Sequence, residues 1–489
     1  MKPQDRTVDF NTLLVWLNLL VACLIGGALW AGQSNEYADS QTLMLGLVLS
    51  LETHIVLMLE RAQRDPFILL LAFSNILYYA LRVFTLSVLP FSLVFDRYAY
   101  DARDSNFALL FIIIANVFLY GGLLLAPSRQ KLTISADRRQ ARFPLGVLLI
   151  IMATFALTYL SGRSEVDSSR IISVLLAFIS PIGIETMVLV YFLLFRHSLS
   201  RSFVIATATL LLLEMIARTL FGSRSALIGF VQTLMMVALA MAGRIRLPRA
   251  WVITGVALMP VGLTLAIGAF ALSTYNRAAK DAGGYTLDFG RALQLADAAG
   301  ADLTATNTIE TLLRPVLARA GFFDFSAEII VHRDEYKSVI NVPAYGKSII
   351  DNILTPGFDV FDQPKIANSL LFAYRNWGWP SKAELEKPGV YESDQLGIYG
   401  EFYALFGYSS LPLLFLLAYA LKHLYMRADS VDPFLFVMKR VIVLSIFQRS
   451  LDSFGMDWTI GEVLPLVILT FLYAPLFSSG EPSTHAVSV

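Results

Sequence analysis

Runs of about 20 apolar residues recur along this sequence, and that length matches the hydrocarbon thickness of a bilayer. Twelve such runs stand at 10–32, 41–61, 66–91, 107–126, 143–161, 172–195, 203–221, 225–243, 250–272, 396–421, 435–451 and 458–477. A helix satisfies its backbone hydrogen bonds internally, so each run reads as a membrane-spanning helix. The expected fold is an all-α polytopic membrane protein with about 12 transmembrane helices. With 56% hydrophobic and only 16% charged residues, and a mean hydropathy of +0.62, the chain carries too little charge for a water-facing surface of this size. The formal net charge is zero, which removes the electrostatic case for a nucleic-acid partner. A lone cysteine, Cys23, and five scattered histidines predict neither a disulfide framework nor a metal site. The first run follows Lys2 and Arg6 and reads as a retained anchor, while Ser180-Pro181-Ile182-Gly183 predicts a kink in the sixth.

Between the ninth and tenth runs lies the one long polar stretch, residues 274–395. The chain thus divides into helices 1–9 over 1–273, a segment over 274–395, helices 10–12 over 396–480 and a loose tail at 481–489. Lysines and arginines concentrate in alternate short loops, among them Arg61, Arg64, Arg129, Lys131, Arg196, Arg201, Arg244, Arg246, Lys422, Arg427, Lys439 and Arg440. By the positive-inside rule both termini are cytoplasmic and the long segment faces outward, into a periplasm. That segment holds twelve Lys/Arg, sixteen Asp/Glu and many aromatics, which predicts an ordered cap on the membrane bundle. Helical periodicity appears at 288–299, at 306–319 through Ile309, Leu312, Leu313, Val316 and Leu317, and from Tyr345 to Leu354, where Thr355-Pro356-Gly357 ends it.

Three constellations carry chemical potential. The tight Gly222-Ser223-Arg224-Ser225 turn opens a helix whose free N–H groups favour an anion, and Arg224 adds a planar donor for phosphate oxygens. One turn and a half earlier, Glu214 and Arg218 stand four residues apart inside a span, where charge is costly unless paired. Glu52, Arg82 and Glu185 are further charges within spans; Arg82 is a candidate to join the cationic cluster, and Glu52 is expected to pair with a neighbouring helix. The third constellation closes the long segment. Arg375 is another candidate diphosphate ligand, Trp377 and Trp379 offer flat faces for a sugar ring, and Tyr399 in the return helix joins them as a glycan-binding candidate. Asp394 and Glu401 flank re-entry at headgroup depth and are candidate general bases, with His332, the one histidine of the segment, as the alternative. Each has a blander reading: an arginine anchoring a turn, an ion pair fixing helix rotation, an interfacial aromatic belt, a surface histidine.

The Gly222–Ser225 turn, two further spans, a large outer segment containing Tyr345-Gly346-Lys347-Ser348 and Asp362-Gln363-Pro364-Lys365, and the return Gly397-Ile398-Tyr399-Gly400-Glu401-Phe402-Tyr403 resemble the Wzy-type bacterial O-antigen and oligosaccharide repeat-unit polymerases. The resemblance covers roughly 205–425 and is topological more than literal. Where family members often place an arginine after the proline near Pro356, this chain has Gly357. The resemblance implies a GT-C type fold in the bacterial inner membrane, no cofactor, and substrates of undecaprenyl-diphosphate-linked oligosaccharide. It also implies diphosphate-binding arginines, carried over to Arg224 and Arg218, and a possible chain-length regulator protein as partner. An O-antigen ligase shares this topology; a lipid-linked oligosaccharide flippase or a non-catalytic subunit of a secretion complex are readings from other classes.

Overall fold

The computed structural model describes residues 7–88, 101–127, 146–153, 181–195, 199–221, 226–242, 246–250, 322–337, 341–354, 397–430, 432–452 and 456–477, with a few short pieces between 252 and 361. A short strand β1 (Thr7–Asp9) leads into α1 (Phe10–Trp30), followed by α2 (Ser40–Met58). The third span is α3 (Pro66–Ser74), a π-helical turn (Asn75–Ala80) and α4 (Leu81–Val88), and α5 (Ala102–Leu125) completes the first group. Beyond it come α6 (Pro181–Phe195), α7 (Arg201–Phe221), α8 (Ala226–Ala242) and β2 (Arg246–Pro248). The long polar segment contributes α9 (Phe322–Val331), α10 (Arg333–Tyr336) and α11 (Val342–Leu354). The return consists of α12 (Gly397–Phe406), α13 (Ser410–Arg427), α14 (Pro433–Asp452) and α15 (Met456–Phe477).

Local chemistry sets the helix starts. Asp39 and Thr42 form a reciprocal capping box at α2, Asp101 and Asp104 another at α5, and Asp65 accepts from the backbone of Phe67 and Ile68 with Pro66 opening α3. Five stretches are long and apolar enough to cross a membrane: Phe10–Trp30, Ser40–Met58, Pro66–Val88, Ala102–Leu125 and Gly397–Arg427. They match the first four expected spans and the tenth. Helices α6, α7, α8, α14 and α15 fall within five more, whereas most of 143–161 and 250–272 lies outside the described residues. The third span is the most deeply packed, 78% buried against 28% for the first. Among the five, the third span is thus the most enclosed and α1 the most exposed. The kink expected at Ser180-Pro181-Ile182-Gly183 falls at the edge of the described residues, since those before Pro181 in this span lie outside them.

Two features depart from the reading of the sequence. β1 and β2 form a two-stranded antiparallel ladder pairing Thr7 with Pro248 and Asp9 with Arg246. A chain joined in this way crosses a bilayer an even number of times between residues 9 and 246, a condition that the expected eight spans meet. The second departure is α9, a helix that periodicity did not reveal. It is buried along nearly its whole length, from Phe322 to Ile330, and packs against α5 and α12. The segment over 274–395 therefore sends a helix into the bundle. α11 packs against α15. Its start lies three residues ahead of the expected Tyr345, because the Asn341 carboxamide accepts from the Ala344 N–H at 3.0 Å. The expected helices at 288–299 and 306–319 lie outside the described residues.

Candidate functional site

The polar groups of the bundle converge where the π-helical turn of the third span meets α9 and α12. A π turn inserts an extra residue into the helical ladder, and such bulges gather at functional sites. Directly after it, Arg82 is buried, and its Nε donates to Asp324 on α9 at 3.0 Å and 3.3 Å to the two carboxylate oxygens. Its Nη2 lies 3.0 Å from Asp324 Oδ2, with the two side chains 3% and 0% exposed. Nη1 donates to Thr85 Oγ1 at 3.2 Å. Arg82, the candidate for a cationic cluster, is thus buried in an ion pair with a carboxylate of the long segment. Alongside, the Tyr78 ring tilts against Phe322 at 4.3 Å between centroids.

Two glycines let α12 approach. Gly397 adopts φ +61, and a Cβ there would lie 3.2 Å from Tyr79 Oη; a Cβ on Gly400 would lie 3.2 Å from the Ser326 Cα of α9. Tyr399, between them, is fully buried. Its hydroxyl donates to the Asn116 side-chain oxygen and approaches Asn75 Oδ1 at 3.3 Å, while its ring meets Tyr79 edge-on at 5.1 Å. Asn75 Nδ2 donates to Asn116 Oδ1 at 3.2 Å and to Tyr120 Oη at 3.1 Å. The structure therefore buries Tyr399 in a polar network, where a glycan on the surface would not meet it. Glu401, two residues on, is buried at 1% exposure.

His332 follows α9 and is 20% exposed, its Nδ1 3.4 Å from Glu335 and its Nε2 3.9 Å from Glu328. Glu328 Oε1 accepts from the Tyr336 hydroxyl at 3.1 Å. Arg333 donates from Nε to the Tyr403 carbonyl at 2.8 Å, and its guanidinium packs on Gly407, where φ is +58. These contacts tie the α9–α10 corner to the return helix. Of the predicted site residues, the structure thus gathers Arg82, His332, Tyr399 and Glu401 around one helix. Arg218 lies in α7, whose Glu214 is buried, and the Arg218 side chain is outside the described residues. Arg224, Arg375, Trp377, Trp379 and Asp394 also lie outside them.

Sequence reasoning missed Asp324 and Glu328. Their signal was present, two carboxylates four residues apart in an otherwise apolar decapeptide. Asn75 and Asn116 carried a similar one as lone amides within spans. On α2, both carboxylate oxygens of Glu52 are buried with no hydrogen-bond partner among the described residues, contrary to the expected pairing with a neighbouring helix. Glu52 lies close enough to Tyr120 and Tyr399 to act on both electrostatically. The arrangement can hold an acid–base pair of His332 and Glu328 at the α9–α10 corner, beside a buried network of amides and phenols. Compared with known proteins, the chain has no significant match to a family model, a curated protein or a solved structure.

Proposed function

We propose that the chain is a membrane glycosyltransferase that polymerises oligosaccharide repeat units carried on undecaprenyl diphosphate. The observation that supports this reading is the anchoring of α9. A polar segment held to the third span by Arg82–Asp324 and seated on glycines of the return helix is a fixed wall against which a lipid-linked substrate can be oriented. A linker or a loose cap needs no such anchor. In the proposed reaction the acceptor hydroxyl of an incoming unit attacks the anomeric carbon of the growing glycan. The bond to the diphosphate breaks, undecaprenyl diphosphate leaves, and the hydroxyl proton passes to a base. His332, partly exposed and flanked by Glu328 and Glu335, is better placed for that transfer than the buried Glu401. Arg224 and Arg218, with Arg375, neutralise the leaving diphosphate. The reaction takes place on the periplasmic face of the inner membrane, requires no cofactor, and permits a chain-length regulator as partner.

Ion-coupled transport of a lipid-linked oligosaccharide is the second reading, and Glu52 favours it. Carboxylates without partners inside a bundle mark ion pathways. One assay separates the two. Purified protein in nanodiscs with lipid-linked repeat units and EDTA is expected to give a ladder of products, lost in Arg224→Ala, reduced about 100-fold or more in His332→Ala, and unchanged in Glu52→Gln. Movement of intact lipid-linked units across vesicles, abolished by Glu52→Gln and accompanied by no ladder, would replace the enzyme with a transporter.

A further inference from the structure

At the far end of the third span the structure holds a second charged site, independent of the glycosyl-transfer reading. Seventeen residues separate Asp65 from Arg82, about 25 Å along a helix axis. Here the connection from α2 to α3, the start of α3, the end of α13 and Arg440 of α14 line a cavity of about 380 Å³, within the range of roughly 300–1,000 Å³ typical of small-molecule sites. Its lining contains four cations, Arg61, Arg64, Lys422 and Arg440, against two carboxylates, Glu60 and Asp65, a net charge of +2 (four minus two).

Each charge is placed by a specific contact. Asp65 is used twice, capping α3 through Oδ1 and binding Lys422 through Oδ2 in a pair whose side chains are 3% and 5% exposed. Lys422 also donates to the Leu123 carbonyl. Arg61 donates to the Ala126 carbonyl at 2.7 Å, which fixes its fork at the wall. Arg440, 7% exposed, lies over the rings of Phe436 at 4.0 Å and Tyr425 at 4.8 Å. Tyr425 and Asp429 also act on this guanidinium, whose planar set of five N–H donors suits recognition of an oxyanion. Arg64 is exposed at the rim. Across the lining the four cations outnumber the two carboxylates, a local positive excess that favours entry of an anion.

We propose that this cavity binds a phosphate group at the cytoplasmic end of the bundle. Two sources carry that chemistry, the headgroup of an anionic phospholipid and a soluble organic phosphate. The cavity lies where the lysine and arginine bias puts the inner leaflet, and basic pockets between helices on that side accept anionic headgroups.

The test is thermal unfolding of the full-length protein in a neutral detergent, titrated separately with phosphatidylglycerol, phosphatidylcholine and sn-glycerol 1-phosphate. Phosphatidylglycerol is expected to raise Tm saturably and phosphatidylcholine to leave it unchanged. Arg64→Gln and Arg440→Gln are each expected to weaken apparent binding about tenfold, whereas Arg427→Gln, an exposed cation outside the lining, leaves it intact. The same Arg64-dependent shift with glycerol 1-phosphate assigns the site to soluble phosphates; a shift with the lipid alone assigns it to the membrane. If Arg440→Gln fails to fold, the exposed Arg64 carries the test by itself. No saturable shift with either phosphate probe, or equal weakening by Arg427→Gln and Arg64→Gln, would overturn the proposal.

Discussion

The Arg82–Asp324 pair sets two full charges where neither reaches water, so its value lies in being complete. Removing one partner strands the other, at a cost of about 3–5 kcal/mol, whereas replacing both by apolar groups of similar volume is often neutral. Arg82→Met is expected to lower stability by that amount in denaturant unfolding, and Arg82→Met with Asp324→Leu to recover most of it. A double variant as unstable as the single one would contradict the architectural role. Asp39 is a gentler case, at the mouth of α2. Burial works against its charge, but the Thr42 and Gln41 N–H groups and the side chains of Asn106 and Thr42 outweigh it and hold the carboxyl below its ordinary value of 3.8. A depressed folded-state pKa means that the stabilisation is present above about that value and is lost as pH falls through the lower, folded one. Asp39→Ala is expected to cost about 1 kcal/mol at neutral pH, and the gap from wild type to close in unfolding curves recorded below pH 4.

Helix contacts in this bundle depend on missing side chains. A Cβ at Gly122 would meet the Phe415 carbonyl at 2.4 Å and Ala418 at 3.1 Å, in the contact between α5 and α13. Gly122→Ala must push those helices apart, and a loss above about 3 kcal/mol is expected, beyond the usual range for overpacking. Gly400→Ala, at 3.2 Å from Ser326, is expected to cost about 1–3 kcal/mol and to loosen α9 selectively, which hydrogen exchange over 322–331 would report. These are the places where the sequence could be read only in part. The apolar runs were legible because a bilayer imposes one length on every helix that crosses it, and the glycines of 397–400 stood out as punctuation. The reason for that punctuation was not legible, since it lies in a helix more than sixty residues upstream. α9 escaped notice because a ten-residue helix with two carboxylates among its apolar residues resembles a surface helix until Arg82 is known to await one of them. Tyr399 was misplaced for the same reason: an aromatic beside a headgroup-depth glutamate looks like a platform, and only the neighbouring amides reveal a hydroxyl already committed.

The molecule as a whole has two unlike ends. At one, the α1–α2 connection is held by Asn35 donating to Leu86 and Ser105 donating to Tyr37, with the Arg82 pair beneath. At the other, cations from the α2–α3 connection, α13 and α14 gather near the start of α3. If the cationic end faces the cytoplasm, single cysteines at the exposed positions 34 and 429, introduced into a Cys23→Ser background, lie on opposite sides. Ser34→Cys is expected to react with an impermeant maleimide in right-side-out vesicles and Asp429→Cys only in inverted ones. Labelling of both from one side would refute the orientation and, with it, the periplasmic placement of the long segment.

The separation of 242 residues between Arg82 and Asp324 also sets a timetable. At about 5–20 residues per second, synthesis delivers the carboxylate roughly 12 to 48 s after the arginine. During that interval the third span holds a positive charge with its eventual counter-ion still unmade. The nascent bundle must let Arg82 reach toward lipid phosphates or water, and it closes only when α9 arrives. Assembly therefore has a late, charge-gated step, and a ribosome paused between residues 82 and 324 would hold an open intermediate recognisable by the accessibility of its third helix.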